Sequence, residues 1–308
     1  MTKICSRLEN ILNTSKKIEI DESSKIVIMT DCHRGDANWS DDFARNQNEY
    51  LHALQHYYEK GYTYIELGDG DDLWENKSFE DIASSHNNTF RILAKMYKVG
   101  RFHTIYGNHD MVKKYDNYRK KNMQTYLNDR KRKEEELFPN IQIEEGLVLH
   151  YKPLDKEILL IHGHQGDLMN DKLWKLGRFL VRYIWRPLEI FGVKDPTRAA
   201  KNYHKKINHE RKLIRWLEKT DRMLIAGHTH RPVFPEVGDP LYLNGGSCVH
   251  PRCITCIEIC DGKISLIKWH IETNHNGVLY VAKDILAGKV ALGEIFNYPL
   301  RDFKINRP

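Results

Sequence analysis

Five short apolar runs, rich in β-branched residues, each stop at a cluster of polar groups. Residues 25–30 run into Asp31-Cys32-His33, and 62–67 into Gly68-Asp69-Gly70-Asp71-Asp72. Residues 101–106 run into Gly107-Asn108-His109-Asp110. Residues 157–161 run into His162-Gly163-His164, and 222–226 into Gly227-His228-Thr229-His230. Short runs dominated by apolar, aromatic and β-branched residues predict buried strands. Helical periodicity over roughly 41–60 and 88–98 separates the first three. Strand–helix–strand alternation requires right-handed crossovers and gives a largely parallel sheet. Sites in such sheets form just beyond the carboxyl ends of the strands. All five clusters are therefore expected on one rim.

From about residue 241 the pattern changes. Residues 241–243, 253–260 and 263–270, the last two joined at Asp261-Gly262, predict antiparallel strands with a hairpin turn. Residues 271–308 form a mixed extension without a functional signal. No internal repeat appears.

The chain has 308 residues with a mean hydropathy of −0.62, and no apolar run is long enough to cross a bilayer. The first residues, Met-Thr-Lys-Ile-Cys, lack the apolar core and cleavage site of a secretory leader. Six cysteines in such a chain are expected to be reduced thiols, which points to the cytoplasm. The spacing Cys253-x-x-Cys256 resembles a zinc knuckle only on paper. Its segment alternates like a strand, which would point the two thiols to opposite faces.

Charge changes the picture in one place. Residues 171–220 hold 14 Lys/Arg against 5 Asp/Glu, so they supply the whole excess of a chain whose net charge is +6. They also hold Trp174, Trp185 and Trp216, half of the tryptophans. Lys175, Arg178, Arg182 and Arg186 recur at helical spacing as a basic stripe. Leu173, Leu176, Leu180, Ile184 and Leu188 line an adjacent apolar face. Asp195-Pro196 has the form of a helix start, opening a second helix to about 219. This predicts a helical-hairpin lid over about 168–220. It would bind an anionic substrate, lie on an anionic membrane surface, or present a solvated or oligomer-forming face.

Asp31, His33, Asp69, Asn108, His162, His228 and His230 offer carboxylate, imidazole and amide donors. The mixture suits Mn²⁺, Fe or Zn, and seven ligands suit two ions sharing a carboxylate. Two such ions, about 3.5–4 Å apart, clamp phosphorus for in-line displacement. His164 competes with His162, which is favoured because it directly follows the apolar run. Arg34 is a candidate for a substrate phosphate, with a structural arginine as the alternative. Asp167 is either a helix cap or a buttress for a ligand histidine.

The ordered set Asp31-x-His33, Gly68-Asp69-x-x-Asp72, Gly107-Asn108-His109-Asp110, His162-Gly163 and Gly227-His228-x-His230 resembles the calcineurin-like metallophosphoesterases. The resemblance runs from about 26 to 250. It implies an α/β fold, a four-layer α-β-β-α sandwich of two mixed sheets, with the lid inserted into a single domain over 1–308. It implies that Asp31, His33, Asp69 and His230 hold one metal. Asp69, Asn108, His162 and His228 would hold the other, with Asp69 as the bridge and Mn²⁺ the first expectation. His109 would protonate the leaving oxygen and Asp72 would orient it, leaving Asp71 as a solvated neighbour. The implied reaction is hydrolysis of a phosphomonoester, a phosphodiester or a nucleotide pyrophosphate. The position of the insertion is similar to that in the UDP-2,3-diacylglucosamine pyrophosphatase branch, which acts at the membrane surface. That branch carries Arg where this chain has His109. Substrate contacts are expected from Arg34, Arg178 and Arg182. A nucleic-acid-binding module using the basic insertion is the alternative from a different class. Oligomeric state is not readable.

Overall fold

The computed structural model describes residues 3–185, 203–220 and 222–298. Its first sheet has the strand order β1(Lys17–Ile20), β7(Gly146–Tyr151), β8(Lys156–Ile161), β9(Met223–Ala226), β10(Tyr242–Asn244). The second sheet runs β13(Leu279–Ala291), β12(Lys263–Thr273), β11(Cys253–Cys260), β2(Ile26–Met29), β3(Thr63–Leu67), β4(Phe102–Ile105). Both sheets are mixed. β2, β3 and β4 are mutually parallel, as are β8, β9 and β10, so the carboxyl ends of the motif-bearing strands share one rim.

The sheets face each other through an apolar layer containing Ile28, Ile65, Leu67, Ile105, Leu160, Ile225 and Ile257. Alternate residues of the same strands face outward. Val27 and Met29 of β2 meet α2(Gln47–Glu59) and α4(Asn87–Lys98), through residues such as Tyr50, Leu54, Phe90 and Leu93. Leu159 and Ile161 of β8 and Leu224 of β9 meet α1(Lys3–Thr14) and α7(Tyr203–Thr220), through Leu8, Leu12, Leu213, Trp216 and Leu217. Both faces of the central strands are thus apolar, which is why their sequences do not alternate. The result is a four-layer α-β-β-α sandwich.

Three features depart from the sequence pattern. Residues 241–243 are not antiparallel to their neighbour: β10 pairs parallel with β9. The connection from Gly227 to Leu241 is long enough for a crossover, which a parallel pair needs and a hairpin does not. The C-terminal extension contributes a strand, β13, antiparallel to β12. It is a half-exposed edge strand with two register shifts against β12, so its apolar residues do not keep the strict alternation of a regular strand. After it, Leu292, Ile295 and Phe296 fold back into the layer between the sheets. Finally, α1 supplies part of an outer helical layer that the strand-end motifs do not announce.

Helix α7 is anchored on the first sheet by Trp216, which is buried and donates from Nε1 to Glu9 Oε1 at 2.7 Å. We predict that Trp216→Ala costs about 3–5 kcal/mol, the range for deleting a buried large aromatic side chain. Denaturant titration should show it as a lowered midpoint. A change under about 0.5 kcal/mol, the scale of surface substitutions, would contradict the docking of α7.

Candidate metal centre

The ligand-bearing loops continue the sheet register past the strand ends. The Asp31 N–H donates to Gly68 O, His33 N–H to Asp69 O and Arg34 N–H to Gly70 O. This brings the first two clusters side by side before any side chain is considered. Asp31, His33, Asp69, His228 and His230 all adopt left-handed backbone, with φ of 53°, 49°, 49°, 67° and 56°. Non-glycine residues in this region carry strain that a surrounding structure must overcome, and such strain gathers at functional sites. The close approach also dictates glycine. A Cβ on Gly107 would lie 2.1 Å from Asp69 Oδ1, and one on Gly227 would lie 2.0 Å from Thr30 Oγ1.

Each central carboxylate divides its two oxygens between structure and chemistry. Asp31 Oδ2 accepts from Thr30 Oγ1 at 2.6 Å and from the His228 N–H at 2.8 Å. Its Oδ1 is buried and lies 3.1 Å from His230 Nε2 and 3.7 Å from His33 Nε2. Asp69 Oδ1 accepts the His109 N–H at 2.8 Å. Its Oδ2 sits 3.2 Å from His162 Nε2 and 3.7 Å from His33 Nε2. Two groups of donors result, each within 4.8 Å: Asp31, His33 and His230, then Asp69, His162 and His228. Asp69 also groups with His33 and His109, so it stands between the two sets.

The donor chemistry fits cations. His162 holds Nδ1 3.0 Å from Leu67 O, which assigns a proton to Nδ1 and turns Nε2 toward Asp69 and Asn108 Oδ1, 3.2 Å away. His33 Nε2 and His230 Nε2 approach to 3.2 Å. Electrostatics agree. Burial works against an imidazolium at His33 and His162, yet the aspartates hold both above the ordinary range, His162 at about 9. Burial also works against charge on Asp31, yet His230 and His162 hold it well below the ordinary carboxylate range. His164 does not join them. It is fully buried, both ring nitrogens lack a hydrogen-bond partner among the described residues, and burial pushes it well below the ordinary histidine range.

His109 lines the cavity beside this centre. Its Nδ1 lies 3.0 Å from Asp72 Oδ1, and its ring stacks on Trp74 with centroids 4.5 Å apart and planes at 18°. Asp71 is not a solvated neighbour. It is 1% exposed, accepts from Arg34 Nε at 2.8 Å and from Lys113 Nζ at 2.6 Å, and is held at about 2 against burial by those two cations.

Arg34 likewise does not face a substrate. It is 1% exposed, and Glu66 takes Nη1 and Nη2 at 2.6 and 2.9 Å. The guanidinium is therefore structural, because burying an arginine demands paired acceptors on every side. Lys113 extends the network to Asp110 at 2.8 Å. Asp110 in turn accepts the backbone N–H groups of Gly107, Asp69 and Gly70. Arg34, Glu66, Asp71, Lys113 and Asp110 together hold the strained loops in place.

The insertion is turned over relative to the pattern. The periodicity predicts a solvated basic stripe beside an apolar leucine face. Instead, in α6(Trp174–Leu180) and the π-turn Val181–Trp185, Trp174 and Gly177 face inward and Val181 and Arg182 are half-buried. Leu173, Leu176, Phe179 and Ile184 are exposed, Leu176 at 48% and Phe179 at 53%. Packing of Trp174 and Val181 with Trp74 decides the inner face. Arg178 lies over the Trp174 ring at 5.0 Å, and Arg182 donates to backbone carbonyls. Arg182 is thus committed to the protein, while Arg178 stays half-exposed. Arg186, Leu188 and the helix start at Asp195-Pro196 lie outside the described residues.

Asp167 caps the following turn and lies near a ligand histidine. Its Oδ1 accepts the Met169 N–H at 3.1 Å, and its Oδ2 is 3.9 Å from His228 Nε2. One contributor was missed. His209, on α7, reaches the cavity, meets Gly163 O through Nε2, and sits 5.6 Å from the His228 ring. Burial and the neighbouring His228 push it down to about 4, so it is a neutral imidazole. The signal was available: Leu213, Trp216 and Leu217 mark the inward stripe of α7, and Glu210 with His209 continues it.

The cavity at this centre has a volume of about 670 Å³. Trp74, Leu180, Val181 and Trp185 line one side, Val249, His250 and Pro251 another, and Asp36, Asp42 and Glu75 also contribute.

Comparison with known proteins follows the same line. Solved structures similar to this chain include Vps29 from Cryptosporidium parvum, 14% identical with a TM-score of 0.37, over 86% of this chain and 98% of that one. Vps29 from Chaetomium thermophilum is 11% identical with a TM-score of 0.40, over 86% and 96%. The curated proteins give no match. The family model described as the calcineurin-like phosphoesterase superfamily domain matches residues 25–260, well over half the chain, and takes in every ligand-bearing loop described above. The chain belongs to the calcineurin-like phosphoesterase superfamily.

Proposed function

We propose that the protein hydrolyses phosphoesters with two divalent ions, Mn²⁺ first, with Fe or Zn as alternatives. The observation that carries this reading is the pair of donor groups meeting at Asp69. Asp31, His33, Asp69 and His230 would hold one ion, and Asp69, Asn108, His162 and His228 the other. When bound, such ions lower the pKa of water and neutralise charge on phosphoryl oxygens.

The chain's own residues do the rest. Asn108 turns Oδ1 toward His162, which leaves its amide NH₂ to donate to a phosphoryl oxygen. His109 has Nδ1 committed to Asp72, so Nε2 is the atom that hands a proton to the leaving oxygen. Cavity walls of tryptophan, valine and proline would receive an organic group larger than phosphate itself. This supports a phosphomonoester, phosphodiester or nucleotide pyrophosphate as substrate.

A membrane-proximal version of the same reading is favoured by one observation. Leu176, Phe179 and Ile184 face outward on the insertion, beside exposed Lys172 and Lys175. An apolar face rimmed by lysine matches an anionic bilayer surface. Flotation with vesicles containing phosphatidylglycerol should carry the protein upward, and Leu176→Glu with Phe179→Glu should abolish it. Equal flotation of both proteins, or of neither, would sink this version.

Activity itself is tested through leaving groups. With Mn²⁺ added, the protein should hydrolyse phosphoesters, and chelation should stop it. His109→Ala should keep its metal yet lower kcat by about 10²–10⁴ on an alkyl phosphate, the usual loss of a general acid. The loss on nitrophenyl phosphate, whose leaving group needs no proton, should be much smaller. Equal losses on both would remove His109 from the acid role.

A further inference from the structure

We propose that the insertion is a latch that orients His109, with Arg182 as the positioning residue that fastens it. The proposal rests on the assignment of His109 as proton donor. His109 is held on three sides: Asp72 at Nδ1, the Trp74 ring flat against its face, and His33 edge-on at 4.6 Å. Asp72 and Trp74 both belong to the turn that follows the second ligand loop. Asp72 Oδ1, the oxygen that faces His109, also accepts the N–H groups of Trp74 and Glu75 at 3.1 and 3.0 Å. Turn, indole and orienting carboxylate therefore move together.

The insertion grips this turn at two points. Arg182 donates from Nε to Trp74 O at 3.0 Å, and from Nη2 to Leu73 O at 2.5 Å and Asn76 O at 2.8 Å. Three carbonyls converging on one planar fork match a guanidinium and exceed what an ammonium holds in one geometry. One helical turn away, Gly177 meets the indole. A Cβ there would lie 3.0 Å from Trp74 Cη2, so glycine lets the helix backbone close onto the ring. Trp174 and Met111 complete the packing around Trp74. Release of the insertion would free the indole, and His109 would keep Asp72 as its hydrogen-bond partner but lose its flat support. Proton donation to a poor leaving group is thereby coupled to closure of the insertion over the cavity.

Arg182→Ala and Arg182→Lys separate this from a purely structural role. Both should keep the metal content of the wild type. On an alkyl phosphate, kcat should fall roughly 10-fold to 100-fold for Arg182→Ala and less for Arg182→Lys, the scale expected when a catalytic group is displaced by about 1 Å. On nitrophenyl phosphate, kcat should change little. Proton NMR of the metal-free protein gives a second readout. The His109 Cε1–H signal, assigned by its loss in His109→Gln, should be shifted upfield by the Trp74 ring and should move downfield in Arg182→Ala. Equal losses on both substrates, or an unmoved signal, would overturn the latch. If His109→Ala itself shows no leaving-group dependence, the assignment of His109 fails instead, and the NMR result still decides whether Arg182 sets the ring.

Discussion

Two buried carboxylates govern this structure. Asp31 and Asp69 each tie one oxygen to the backbone loops and turn the other into a space lined by imidazoles. Negative charge in a low-dielectric interior demands compensation, and the surrounding architecture is arranged around that demand. The loops adopt left-handed backbone at five ligand positions, which costs of order 1–3 kcal/mol at each. A second buried network, Arg34–Glu66–Asp71–Lys113–Asp110, locks the same loops from behind. One network thus faces the chemistry, and the other holds its geometry.

How much of this could be read from the sequence depends on what enforces each feature. The motif-bearing strands were legible because both of their faces are buried, which leaves an unmistakable apolar run. The convergence of Asp31, Asp69, Asn108, His162, His228 and His230 followed from parallel strands ending on one rim. Features set by tertiary partners were not legible. Arg34 and Asp71 look like surface residues until Glu66 and Lys113 are seen beside them. Which face of the insertion turns inward was not legible in the spacing of its leucines and arginines. What decides it is the fit of Gly177 and Trp174 around Trp74, and carbonyl groups that satisfy Arg182. The edge strand β13 is apolar enough, but its register shifts against β12 break the alternation that marks a strand.

The insertion gives the centre its individuality. Without it, Trp74 would stand uncovered at the mouth of the cavity. With it, the indole is enclosed, His109 is backed by a flat surface, and His209 of α7 is brought beside His228. The superfamily core supplies the ligand-bearing loops, and the inserted helices shape what approaches them.

The central claim is that one carboxylate, Asp69, stands between two ions. Anomalous diffraction from crystals grown with Mn²⁺ tests it most directly. The account predicts two peaks about 3.5–4 Å apart, with Asp69 in contact with both, His230 beside one and His162 beside the other. A single peak, or two peaks that do not share Asp69, would contradict it.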